Sequence, residues 1–167
     1  MRSALELGSG CGLVAIALAL SGYRVIATDK PTVLPLLQRN LDSFRAQVST
    51  ADEPPQIDTC TFEWNTNRPE LLQNIDFDTV VCCDCVYSTA AVEPLLATLR
   101  NVRTSNSPAC ILFMYALSYD RYEQVVSANT QVIICNEQRS AFDEFLGALR
   151  REYHVQDVAL SESDLVV

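Results

Sequence analysis

The sequence predicts an α/β domain on a doubly wound, mostly parallel sheet, and three observations predict it. Gly8, Gly10 and Gly12 separate two apolar runs, Ala4–Leu7 and Leu13–Leu20. A further run, Val25-Ile26-Ala27-Thr28, closes on Asp29. From there to Arg103, short strand-like segments alternate with longer segments of helical period. Such alternation specifies parallel strands joined by right-handed crossovers.

Ala4–Leu7 reads as a short buried strand, and Leu13–Ser21 as an almost wholly apolar helix ended by Gly22. Arg24–Thr28 is the second strand. A helix begins at Pro31 or Thr32 and runs to about Arg45, with Leu34, Leu37, Leu41 and Phe44 on one face. Ser49–Gln56 is polar and carries prolines, so it reads as a loop. Thr59–Trp64 alternates as a strand does, and Pro69–Asn74 reads as a short helical turn. Phe77–Cys83 is continuously apolar after its second residue, as a strand buried on both faces should be. Ala90–Val102 is a helix with Val92, Leu95, Leu96 and Leu99 inward.

Beyond Arg103 two runs compete for the next place in the sheet, Ala109–Ala116 and Gln131–Cys135, and periodicity does not choose between them. A helix over Ser140–Glu152 and a strand over His154–Leu160 complete the expected elements. Without repeats or low-complexity tracts, the 167 residues read as one domain, with a core of ordinary size.

The glycine turn is the chief pointer to function. Glycines let the backbone bend sharply and approach a ligand closely, because no Cβ intervenes. A carboxylate one βα unit later, Asp29, stands where two ribose hydroxyls can be bound. A dinucleotide fingerprint needs its third glycine at position 13, which is Leu13, and no Lys-Ser/Thr pair follows to make a P-loop. Glu6, two residues ahead of Gly8, together with Gly8-x-Gly10-x-Gly12 and the Asp29 spacing, favours S-adenosylmethionine instead.

Composition narrows the partners. The net charge is −9, which repels phosphate backbones and argues against nucleic acid while suiting a basic protein or peptide. The seven cysteines, odd in number and irregular in spacing, argue for a reducing compartment over a disulfide framework, hence a cytoplasmic or nuclear protein. No segment approaches the ~20 consecutive apolar residues of a membrane span. Cys82, Cys83 and Cys85 lie close in sequence, but adjacent strand residues face opposite ways and no histidine completes a tetrahedral set. They read as buried thiols, with no metal site. The sole histidine, His154, lies at a strand start and does not read as a general base, and the Tyr115, Tyr119, Tyr122 series at roughly helical spacing reads as packing.

Several marks together resemble a known family. They are Leu5-Glu6-Leu7-Gly8-Ser9-Gly10-Cys11-Gly12-Leu13-Val14, Ala27-Thr28-Asp29, Asn40-Leu41, Phe62-Glu63-Trp64, and Phe77-Asp78 leading to Asp84-Cys85-Val86-Tyr87. The chain is similar over most of residues 3–103, and again over roughly 132–167, to the class I S-adenosylmethionine-dependent methyltransferases. More narrowly it resembles the protein-lysine methyltransferase group known as methyltransferase family 16, whose acidic-x-x-aromatic motif Asp84–Tyr87 fits.

The resemblance implies a Rossmann-like fold and methyl transfer from S-adenosylmethionine to a protein lysine. The chain is expected to be a monomer. Gly8, Ser9 and Gly10 would wrap the methionine and ribose of the cofactor, with Glu6 and Gly12 beside them. Asp29 would bind the ribose hydroxyls, Trp64 would lie against the adenine, and Cys83 would present backbone beside the cofactor. Asp84 and Tyr87 would form the catalytic floor where donor and acceptor meet. Each has a plainer reading: Asp84 as the cap of the following helix, Tyr87 as a rim aromatic, Trp64 as core filler, Glu6 as a salt-bridged loop acid. Asn40 reads as a helix-solvating residue outside the site.

Family members carry some tens of residues before the glycine motif, so this chain is expected to be a shortened form with a sheet incomplete at both ends. Residues near 104–131 read as an insertion. Two other functions stay open: an inactive remnant serving as a binding or regulatory protein, and a small-molecule methyltransferase.

Overall fold

The computed structural model describes residues 1–49, 54–73, 75–102, 109–114, 123–125, 130–135, 140–152 and 156–157. Strand β1 (Arg2–Leu7) is the centre from which the fold grows. It is followed by α1 (Leu13–Leu20), β2 (Tyr23–Asp29), α2 (Leu34–Gln47) and β3 (Ile57–Thr61). A 3₁₀ turn (Glu70–Leu72) leads to β4 (Thr79–Cys83) and α3 (Thr89–Val102). Strands β5 (Ala109–Met114), β6 (Glu123–Val125) and β7 (Thr130–Cys135), helix α4 (Ser140–Glu152) and β8 (Gln156–Asp157) complete it.

The sheet runs β3-β2-β1-β4-β7-β5-β6-β8. Every pairing from β3 through β5 is parallel, whereas β6 pairs antiparallel with both β5 and β8. Both strand candidates beyond Arg103 therefore lie in the sheet. β7 inserts between β4 and β5, pairing Val80 with Val132 on one side and Ile111 with Val132 on the other. The stretch read as an insertion supplies β5 and β6.

Alternate residues of β1 divide the core. Leu5 and Leu7 pack with Val80 and Cys82 under α3 and α4, where Leu95, Leu96, Leu99, Phe142 and Phe145 are buried. Ala4 packs with Val25 and Ala27 under α1 and α2, where Ala15, Ala19, Leu37 and Leu41 are buried. The two-residue period of a strand thus sends successive side chains to opposite helical layers. The inward faces expected for α2 and α3 are the buried ones. Helix α1 forms as expected, with Ala15 and Ala19 buried and Leu13 and Leu20 exposed.

One strand is displaced from its expected position. The alternation of Thr59–Trp64 suggests a strand to Trp64, but β3 starts at Ile57 and ends at Thr61. Phe62 N–H still donates to Asp29 O at 2.9 Å, after which the chain turns at Asn65, whose φ is 60°. The turn carries Glu63 and Trp64 across the carboxyl end of the sheet, where a cavity lies. The tyrosine series 115–122, His154 and the end of the last expected strand lie outside the described residues.

Candidate functional site

The cavity, about 470 Å³, opens beyond the carboxyl ends of β1, β2 and β4. This is where parallel α/β sheets bind ligands, beside the strand from which the order runs both ways. Its lining includes Gly8, Gly10, Asp29, Trp64, Asp84 and Tyr87.

The glycine turn follows from its backbone. Gly8, Gly10 and Gly12 have φ of 71°, 53° and 89°, a region that costs residues with a Cβ roughly 1–2 kcal/mol. Each also has a different neighbour. A Cβ on Gly8 would stand 3.0 Å from Cys85 Sγ and 3.3 Å from Trp64 Cζ2; one on Gly12 would stand 2.8 Å from Leu37 Cδ1. A Cβ on Gly10 would meet nothing within 4 Å, because that position faces open space. Gly8 therefore seats the indole, Gly12 lets α2 approach, and Gly10 presents bare backbone to the cavity.

Hydrogen bonds hold the turn from three sides. Ser9 N–H donates to Thr28 O at 2.9 Å, and Thr28 Oγ1 donates to Glu6 O at 2.7 Å. Gly10 N–H donates to Asp29 Oδ2 at 2.8 Å, while Lys30 N–H donates to Oδ1 at 2.8 Å. Asn40 Nδ2 on α2 donates to Cys11 O at 2.9 Å. Each carboxylate oxygen of Asp29 keeps further acceptor capacity, since it has two lone pairs. Asn40, read from the sequence as a solvated helix residue, in fact tethers the turn.

Glu6, Ser9, Gly12 and Cys83, expected at the cofactor, are not lining residues. Glu6 shares the pleat face of Ala4 and is 1 % exposed. Burial pushes its carboxyl from 4.5 up to about 8; the Ser9 hydroxyl pulls it back, Cys83 adds to the rise, the Ala15 amide opposes it, and Asp29 adds a last increment. Ser9 Oγ acts on the carboxyl by proximity, since neither it nor Glu6 Oε2 reaches hydrogen-bond geometry with a partner. Ser9 is buried beneath the turn, Gly12 is packed on Leu37, and Cys83 is half-buried.

Asp84 follows β4 with φ 50°. Together with Asn65 it is one of two non-glycine residues in the left-handed region among those described. Asp and Asn tolerate that region best, and such strain concentrates at functional sites. Tyr87 stands at the rim, 57 % exposed, two residues before α3. Cys85 donates through Sγ to Leu7 O at 3.1 Å. Its hydrogen bond with Cys82 and then its burial raise the thiol well above its ordinary value, so it stays protonated at neutral pH.

The cavity also includes Lys30, Val33, Phe62, Glu63 and Cys85, to which the motifs assigned no role. Phe62, Glu63 and Cys85 stand inside quoted motifs, and Lys30 adjoins Asp29. Motif membership or adjacency was the available signal for these four; Val33 enters through the tertiary fold. Phe62 and Trp64 give one side an apolar wall, and Asp29, Glu63 and Asp84 outnumber Lys30 in charge. Among the described residues no group of three or more His, Cys, Asp or Glu converges to hold a metal ion.

The fold is shared with solved S-adenosylmethionine-dependent methyltransferases. The glycopeptide N-methyltransferase MtfA, solved with S-adenosylmethionine, superposes with a TM-score of 0.56 at 16% identity, covering 90% of this chain and 70% of that one. The family model described as lysine methyltransferase matches residues 1–124, and the chain belongs to that family. Protein N-lysine methyltransferase METTL21A of Mus musculus is 32% identical over 123 residues, 71% of this chain and 51% of that protein. Protein-lysine methyltransferase METTL21E of Bos taurus is 29% identical over 129 residues, 74% of this chain and 44% of that protein. The chain thus spans about half the length of these relatives or less.

Proposed function

We propose that this chain binds S-adenosylmethionine and transfers its methyl group to a lysine side chain of a protein. One observation carries the reading: Gly10 and Asp29, hydrogen-bonded to each other, share one cavity with Trp64, Asp84 and Tyr87. The residues fit the cofactor. A cavity of about 470 Å³ lies in the usual range of roughly 300–1,000 Å³ for small-molecule sites. Bare backbone at Gly10 allows close approach, oriented oxygens on Asp29 suit vicinal hydroxyls, and the indole of Trp64 offers a flat apolar wall to a purine.

Bound S-adenosylmethionine supplies an electrophilic methyl on a good leaving group, which leaves the protein chiefly the work of alignment. The acceptor must attack as the neutral amine. At an ordinary pKa near 10.4, roughly one lysine in two thousand is neutral at pH 7. The aromatic face of Tyr87 and the carboxylate of Asp84 attract the arriving cation, and apolar surface around it favours loss of the proton. Curated relatives named as protein-lysine methyltransferases support a protein lysine as acceptor. The acidic chain, with net charge −9, suits a basic substrate surface. Seven cysteines favour work in the cytoplasm or nucleus.

Calorimetric titration with S-adenosylhomocysteine tests the cofactor half; saturable 1:1 heat is expected. Incubation with methyl-labelled cofactor and cell lysate tests the other half. Label should enter protein as methyl-lysine. Label confined to small metabolites would replace the acceptor, and no saturable heat would remove the cofactor.

A further inference from the structure

Helix α3 carries one polar side chain where apolar ones belong. Thr98 is 0 % exposed among buried Leu95, Leu96, Leu99 and Val102. Its hydroxyl donates to Pro94 O at 2.9 Å, one turn back in the same helix. With the proton so committed, its lone pairs face outward, and the backbone N–H of Asn65 donates to Oγ1 at 2.8 Å. Asn65 follows Trp64 directly and has φ 60°, a left-handed turn that asparagine tolerates and that this hydrogen bond ties to α3. Trp64 in turn lies against Gly8 and lines the cavity.

We propose that Thr98 is a positioning residue for the cofactor, holding the Trp64 wall in place through the Asn65 amide. The inference rests on the cofactor reading above. Thr98 touches no part of the cavity; it acts on the ring through one backbone hydrogen bond. The same helix begins at Thr89, just after Asp84–Tyr87. At about 1.5 Å rise per residue, Thr98 lies some 14 Å along α3 from that start. One rigid element therefore sets both the apolar wall and the acceptor end of the cavity.

Two substitutions separate this role from simple packing. Thr98→Val keeps the shape and removes the acceptor; Thr98→Ser keeps the acceptor and removes a methyl. Trp64 is the only tryptophan, so intrinsic fluorescence reports its surroundings without ligand. Thr98→Val should shift that emission and weaken S-adenosylhomocysteine binding about tenfold, the effect of one lost hydrogen bond of ordinary strength. Thr98→Ser should match the unmodified protein in emission and bind within about twofold of it. Equal binding by Thr98→Val, or equal loss in both variants, would overturn the proposal. Hydrogen exchange on the unmodified protein supplies a check that no folding defect can blur: the Asn65 amide should be protected, and a freely exchanging amide overturns the inference. Failure of the unmodified protein to bind S-adenosylhomocysteine would instead overturn the cofactor reading, leaving fluorescence and exchange to decide Thr98.

Discussion

Gly10 and Asp29 are joined by a 2.8 Å hydrogen bond from backbone amide to carboxylate, so the turn after β1 and the acid ending β2 move as one unit. Lys30 N–H fixes the other oxygen of the same carboxylate. Two backbone amides thus orient the two oxygens of Asp29 at the cavity.

Asp29→Ala removes both the tie and the acceptor pair. Affinity for S-adenosylhomocysteine should fall by roughly 1–3 kcal/mol, the cost of stranding hydrogen-bonded partners. Calorimetry reads this directly, and an unchanged affinity would take Asp29 out of the binding site.

Gly10→Ala and Gly12→Ala should fail in different ways. Both place a Cβ at positive φ, a backbone cost of about 1–2 kcal/mol each. At Gly12 the new atom also meets Leu37 Cδ1 at 2.8 Å, so the melting temperature should drop further. At Gly10, a lining residue, nothing opposes it within 4 Å, so binding should suffer more than folding. Paired melting curves and titrations distinguish the two.

Glu6 makes stability depend on pH. Its folded carboxyl titrates at about 8 against 4.5 for the ordinary group. Between those values the folded chain holds a proton that the unfolded chain has released, so its stabilisation is complete below 4.5 and is lost as pH rises through 8. Glu6→Gln stays neutral throughout. Its stability relative to the unmodified protein should therefore climb with pH, by up to about 1.4 kcal/mol per unit, and level off above 8. Urea unfolding at pH 5, 7 and 9 measures the difference; a flat difference would mean that Glu6 is already ionised in the fold.

Asp84→Asn should separate chemistry from cofactor binding. Asparagine tolerates the left-handed backbone that this position adopts, so the loop should persist. Loss of the carboxylate should slow methyl transfer about tenfold or more, the scale of a charge-assisted contact, while S-adenosylhomocysteine affinity stays within about twofold. Equal losses in both would move Asp84 to the cofactor side.

Much of this arrangement is written in local pattern. The strand–glycine–strand passage from Ala4 to Asp29 and the inward face of α3 are legible because burial repeats with the period of each element. Gly8, Gly10, Asp29, Trp64, Asp84 and Tyr87 were legible as motif members, and the fold gathers them around one cavity. Sheet order beyond β4 was not legible. β5 and β7 are both short apolar runs, and nothing in their composition says which will hydrogen-bond β4. The end of β3 was misread because alternation continues through Trp64, while the turn there depends on Thr98, 33 positions away from Asn65. Val33 escaped for the same reason. Its place at the cavity is decided by how separate strand ends meet, which no local spacing encodes.

The two hydrophobic layers lie on opposite faces of the sheet, and each anchors a different rim of the cavity. Asn40 of α2 grips the glycine turn from one layer, and Thr98 of α3 grips the indole turn from the other. A molecule lodged between them would clasp the two layers at the carboxyl edge of the sheet. Its residence should slow the parting of those layers there, so that α2 and α3 in the occupied protein resist proteases together.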